Sequence, residues 1–161
     1  MFGEKPIVGH TIIRIKNNRI VLPDFTHIEV GETLNSTIDL HQRKIMIMNE
    51  LDFYKRLDDF KKRIEEGRKQ GIISYSDYHN LQRYIWGILC LHERKINKRK
   101  EYMLFSDKYE DSAEQRHIRR LNFKDEVFAV GVGTHLEIYP SEEAYQEDLI
   151  FQEELSKKSK K

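Results

Sequence analysis

An α+β fold built from two equivalent halves is what this sequence predicts, and three observations predict it. Short runs of apolar and β-branched residues alternate with turn residues, two amphipathic stretches open on good helix caps, and the order of these elements recurs along the chain. Matching the caps Asn49 and Ser141 also matches Phe53 with Tyr145 and Leu57 with Leu149, a constant spacing of 92 residues. Upstream, Ile38 and Leu40 fall on Val130 and Val132 at the same spacing, so the halves share a basic turn, a strand pair and a capped helix.

Each element follows from local signals. Residues 10–23 read as a strand, a tight turn on Asn17-Asn18 and a second strand stopped by Pro23, because Asn tolerates the positive φ that a short hairpin turn needs. Strands over 36–40 and 44–48 follow, separated by His41, Gln42 and Arg43. Asn49, with Asp52 three residues on, opens a helix that carries Leu51, Tyr54, Leu57, Phe60 and Ile64 at helical spacing and is expected to stop at Gly67. A connecting helix is expected from about Ser76 to 88, with Tyr78, Leu81, Ile85 and Ile88 as its apolar stripe. Strand character returns over 88–105, around a basic turn at 95–100. A hairpin over 126–132 and 135–139 turns on Gly133-Thr134, and Ser141 caps a last helix that points Tyr145, Leu149 and Phe151 inward. The predicted organisation is a first repeat at 1–67, a connecting helix at 68–88, a second repeat at 89–155 and a basic tail at 156–161, whose Lys157, Lys158, Lys160 and Lys161 are expected to be disordered and solubilising.

Composition bounds the function. With 39% hydrophobic and 34% charged residues, a chain of 161 residues can bury one modest core or two small packed ones and has a heavily charged surface. No stretch approaches the roughly 18 apolar residues of a membrane span, and the start Met1-Phe2-Gly3-Glu4-Lys5 lacks the pattern of a secretory signal, so a cytoplasmic location is expected. The lone Cys90 forbids an internal disulfide, and its neighbours Ile88, Leu89 and Leu91 favour a buried structural thiol. Seven histidines show no metal-ligand spacing with one another or with Cys90, and there is neither a Gly-rich phosphate loop nor a nucleophile elbow. Neither catalysis nor a cofactor is expected.

The net charge of +1 does not announce a nucleic-acid binder, but its distribution separates basic turns from acidic helices. Arg14, Lys16 and Arg19 fall in one short segment; Arg94, Lys95, Lys98, Arg99 and Lys100 fall in another. On charge alone, a solvated basic hairpin is the better reading of the first, and the second is balanced between that and DNA contact.

The segment from His10-Thr11-Ile12 through Asn18-Arg19-Ile20-Val21-Leu22-Pro23 resembles the opening of MraZ proteins, where a strand leads to a Gly/Asn-Arg turn and an apolar strand ending in Pro. The run Glu126-Val127-Phe128-Ala129-Val130-Gly131, followed by His135-Leu136-Glu137-Ile138-Tyr139, resembles their closing motif and is the more specific of the two. This resemblance spans roughly residues 2–150 and implies a duplicated AbrB-like fold, a barrel of swapped hairpins flanked by helices with pseudo-two-fold halves. It also implies a DNA-binding transcriptional regulator, typically a repressor at promoters of division and cell-wall genes. Such regulators associate with the nucleoid and assemble as a homo-oligomeric ring of about eight or more subunits.

On that basis Arg14, Lys16, Asn18 and Arg19 are the candidate DNA contacts of the first turn. Arg94, Lys98, Arg99 and Lys100 are those of the second. Arg19 could make paired hydrogen bonds to guanine O6 and N7, while Arg14 and Lys16 suit phosphates. The chain departs from the family in two ways. The Asp that precedes the first Gly-Arg is replaced by Arg14 or Ile15, and in the second turn the Gly-Arg position falls on Lys100-Glu101 and the closing Pro on Phe105, with an insertion of about ten residues near 110–120. Two other readings stay open: a ring-forming scaffold without DNA readout, and an AbrB-like dimeric regulator or antitoxin. Tyr75, Tyr78, Tyr84 and Trp86 are candidates for a contact between subunits as well as for the core.

Overall fold

The computed structural model describes residues 2–39, 43–91, 94–104 and 121–159, the side chains of 84–91 and of Ser159 excepted. Its strands are β1 (Ile7–Arg14), β2 (Arg19–Val21), β3 (Thr33–Ile38), β4 (Ile45–Asn49), β5 (Arg94–Lys95), β6 (Glu101–Met103), β7 (Glu126–Gly133) and β8 (Leu136–Tyr139). Its helices are α1 (Glu50–Lys69), α2 (Tyr75–Leu91) and α3 (Glu142–Ser159), with a 3-10 turn at Asp24–Thr26. The α+β class expected from the sequence is the class observed.

Six strands form one antiparallel sheet in the order β1-β7-β8-β4-β3-β5, and β2 pairs with β6 in a separate ribbon. Sequence neighbours therefore part. Lys16, two residues past β1, makes an isolated bridge to Arg19 of β2, and β1 itself runs along β7 from Ile7 opposite Gly133 to Arg14 opposite Glu126. On the other edge β5 lies against β3, with Thr33 opposite Lys95. The first strand of each half thus pairs with the third strand of the other, and β4 pairs with β8 at the centre.

Closure of the expected barrel is not what the strand pairings give, since among the described residues β1 and β5 are the edges of an open sheet. β2 is too short to continue the ladder: Pro23 cannot donate to it, and the chain turns so that Phe25 packs on Gly9 of β1.

One core is shared by both halves. Ile13, Ile20, Leu22, Leu34, Ile45 and Ile47 meet Ile96, Tyr102, Leu104, Val127, Leu136 and Ile138 in a single buried cluster. Emptying such a site by an Ile-to-Ala change costs about 2–5 kcal/mol. Close approach of β1 to β7 requires Gly131, because a Cβ there would stand 2.6 Å from the Ile7 carbonyl oxygen.

Several element limits differ from the sequence expectation. β3 begins at Thr33 and ends at Ile38, and Leu40 lies outside the described residues. Asn49 caps α1 as expected, its side chain accepting from the Asp52 amide at 2.7 Å. α1 does not stop at Gly67, however, but runs to Lys69. The stop is Gly71, in the left-handed region at φ 74°, where the Ile72 amide returns to the Gly67 carbonyl and the Gly71 amide to that of Arg68. The bare Cα of Gly67 instead leaves room for Ile73 to fold back on the helix.

The inward face of α1 is Phe53, Leu57, Phe60 and Ile64, packed on Met46, Met48 and α2, while Leu51 and Tyr54 face outward. α2 continues to Leu91, so 88–91 is helical; a short apolar run fits either state until its neighbours decide. The side chains of Tyr84, Trp86 and Cys90 lie outside the described residues, as does the insertion near 110–120. Ser141 caps α3 through the Ala144 amide, but α3 extends to Ser159. Lys157 and Lys158 therefore belong to its last turn, where cations complement the helix dipole, and not to a disordered tail, while Lys160 and Lys161 lie outside the described residues. Leu149 is exposed, and Asp148 takes the inward position.

Candidate nucleic-acid interface

The first basic turn is a two-residue hairpin. Lys16 and Arg19 exchange both backbone hydrogen bonds at 2.9 Å, and Asn17 and Asn18 sit at φ 50° and 63°, the geometry whose twist matches the flanking strands. Lys16 and Asn17 are exposed at the tip, Asn18 and Arg19 are half-buried, and Arg14 is exposed at the foot of the turn opposite Glu126.

The second turn is longer. The Lys100 amide donates to the Asn97 carbonyl at 3.0 Å, and the Asn97 side-chain oxygen accepts from the amides of Arg99 and Glu101, each at 3.0 Å. Lys100 occupies the left-handed region at φ 56°. Lys98 and Arg99 are exposed and Lys100 is half-buried.

The β2/β6 ribbon relates the turns. Ile20 faces Tyr102, Arg19 faces Met103 and Val21 faces Glu101. Beyond these rungs the Leu22 amide donates to Lys100 and the Leu104 amide donates to Asn18, at 2.9 and 2.8 Å, so the two hydrogen bonds mirror each other. Asn18 thus corresponds to Lys100, and Arg19 to Glu101. The turns lie at opposite ends of the ribbon, and the four steps from Asn18 to Leu22 span about 13 Å at roughly 3.3 Å per residue.

Of the predicted site residues, Arg14, Lys16, Asn18 and Arg19 are gathered at one end and Lys98, Arg99 and Lys100 at the other. Arg94 belongs to neither tip; it is half-buried in β5 opposite Leu34, where strand pairing holds it back.

Sequence reasoning missed a second constellation, a buried ionic cluster under α3. Lys44 Nζ lies 3.1 Å from Glu137 Oε1 and 2.9 Å from Asp148 Oδ2. The Tyr139 hydroxyl lies 2.9 and 2.7 Å from the same two oxygens, and His135 Nε2 lies 3.1 Å from Glu137 Oε2. Burial opposes ionisation of both carboxylates, but hydrogen bonds and the Lys44 charge outweigh it; they hold Asp148 below its ordinary value and bring Glu137 down to about 2. Burial also disfavours the charged Lys44, yet its two carboxylate partners raise it, while burial and the Asp148 hydrogen bond push Tyr139 far up. This cluster is a clamp between the β4 approach, β8 and α3. Asp148, three residues after the inward Tyr145, was the one signal for it in the sequence.

Among the described residues no His, Cys, Asp or Glu group could hold a metal ion, and no helix is long and apolar enough to cross a membrane. No family model matches the chain, and no curated protein matches it.

Proposed function

We propose that this chain is a DNA-binding transcriptional regulator of the MraZ type, a duplicated AbrB-like unit acting as a multi-subunit ring at promoters of division and cell-wall genes. The observation that carries the reading is the mirrored pair of hydrogen bonds between β2 and β6, which sets a basic turn at each end of one ribbon. Their separation of about 13 Å is close to the roughly 12 Å width of a major groove. Arg19 reads guanine O6 and N7 from the narrow first turn, and Arg14 and Lys16 meet phosphates. Asn18 keeps the turn in its left-handed conformation, and Lys98, Arg99 and Lys100 add phosphate contacts from the second turn.

The test is selection of bound fragments from the source genome, followed by binding at graded salt. A shared short repeat among the fragments and a log–log salt slope of several units are expected. Fragments without a common sequence would overturn sequence-specific regulation.

A second reading is a ring-forming scaffold without DNA readout. Glu101, a carboxylate at the counterpart of Arg19, favours it. Absence of DNA binding at low salt with the assembly intact would decide for that reading, and a measured mass of only two chains would decide for an AbrB-like dimer.

A further inference from the structure

The β2/β6 ribbon has two unlike faces. Ile20, Leu22, Tyr102 and Leu104 turn into the core, each at most 3% exposed. Side chains alternate along a strand, so Arg19 and Val21 of β2 share the other face with Glu101 and Met103 of β6. Val21 is 55% exposed there, and the other three are half-buried. With the ribbon across a major groove, as proposed above, this is the face that meets the base edges.

A two-fold axis through the midpoint of the Ile20–Tyr102 pair relates the ends of the ribbon. It carries the Leu22 bond to Lys100 onto the Leu104 bond to Asn18, Val21 onto Met103 and Arg19 onto Glu101. Arg19 and Glu101 are diagonal neighbours, about 7–8 Å apart at their Cα atoms, a span that a groove roughly 12 Å wide holds. Across residues 16–22 and 98–104 Glu101 is the only acid, beside Lys16, Arg19, Lys98, Arg99 and Lys100; Glu126, opposite Arg14, belongs to the main sheet. The Glu101 carboxylate is positioned from the second turn: Asn97 Nδ2 donates to its Oε1 at 3.1 Å, and Asn97 Oδ1 accepts from the Glu101 amide at 3.0 Å.

An ionised carboxylate accepts hydrogen bonds and donates none. In the major groove cytosine alone offers a donor, its N4 amine, without an acceptor beside it; adenine sets N7 next to its own amine. We infer that Glu101 is a specificity-determining residue that reads cytosine, its Oε2 accepting from N4 while Asn97 holds Oε1. The inference rests on the DNA-binding reading above and gives that site a second base contact. A protein two-fold maps onto the two-fold that relates the strands of a duplex, so identical ends would read a palindrome. These ends differ. Arg19 takes a guanine of one strand, and Glu101 takes a cytosine of the other, whose partner guanine lies on the first strand. The element read by one ribbon therefore has a direction.

The test is competitive binding of the full chain to a selected genomic fragment and to versions of it altered one base pair at a time. The parent should lose roughly tenfold or more when the cytosine is replaced. Glu101→Gln keeps an oxygen for Asn97 and gains an amide suited to adenine, so its preference at that base pair should move from cytosine to adenine while the guanine read by Arg19 stays preferred. Glu101→Arg gains attraction to phosphates on every sequence and should move the same preference to guanine. Three outcomes would overturn the inference: both variants keeping the parent's preference at every base pair, whatever their affinity; a shift at the guanine read by Arg19 in place of the cytosine; or a palindromic selected element. Parent fragments without a common sequence would end the regulator reading and this inference with it. A common sequence whose preferences both variants leave unchanged would end this inference alone.

Discussion

α1 is held to the first half by apolar contacts, whereas α3 adds a buried ionic clamp to the apolar contacts that Ala144 and Tyr145 make with Phe128, Val130 and Tyr139. In the first half Ile45 and Ile47 are wholly buried, and α1 packs Phe53, Leu57 and Ile64 on Met46 and Met48. The matching strand positions in the second half are Glu137 and Tyr139, which with Lys44 clamp Asp148, only 2% exposed, in place of the solvent-facing Arg56. The turns show the same contrast, with Arg19 in one and Glu101 in the other. Two halves can keep one strand plan while their side chains diverge, because the plan depends on backbone pairing and a shared aliphatic core.

Substitutions on the two sides test this contrast. The largest effect is expected from Lys44→Ala, which leaves two buried carboxylates facing each other; urea unfolding near neutral pH should show a loss of about 3–5 kcal/mol. Leu57→Ala, on the apolar side, should cost about 2–5 kcal/mol with no dependence on pH beyond the parent's. An equal and pH-independent cost at Lys44 would end the distinction between the clamps.

Acid is the second lever. Glu137 and Asp148 are held below their ordinary values, so their stabilisation is complete above the ordinary 4.5 of a Glu and drains away as pH falls toward about 2. Lys44 acts in the opposite sense: its contribution is complete below 10.5 and is lost as pH rises past that value. Unfolding measured from pH 6 to pH 2 should show the parent losing stability steeply, and Glu137→Gln should start lower and fall less. Parallel curves would mean that Glu137 is not the group titrating.

Smaller effects are expected at the turns. Lys98→Ala should weaken DNA binding about equally for all sequences and reduce the salt slope by about 1. Glu101→Arg, which restores the symmetry of the turns, should raise affinity and steepen that slope by a similar amount. A Lys98→Ala variant that changed sequence preference would place readout at the second turn.

What was legible in the sequence was local. The Asn17-Asn18 turn, the caps Asn49 and Ser141 and the Gly133-Thr134 hairpin each carry their reason within a few residues, and each was found where expected. Partner exchange between the halves was implied only by the resemblance to a swapped-hairpin fold and not by any local signal, because β1 with β7 and β2 with β6 are choices made over roughly a hundred residues by register and core fit. Burial misled at α3: Leu149 fits the apolar stripe, yet Asp148 is inside, since Lys44 and Tyr139 satisfy it there. Among the candidate contacts, Arg94 stands apart from Lys98, Arg99 and Lys100, in β5 opposite Leu34.

Readout of DNA sequence by the first turn, as proposed above, is tested by Arg19→Ala on selected genomic fragments, with a scrambled fragment alongside. A loss of about 1–3 kcal/mol is expected on the selected fragment, with little change on the scrambled one and a parent-like salt slope on both. Parental affinity for the selected fragment in the Arg19→Ala variant would contradict it.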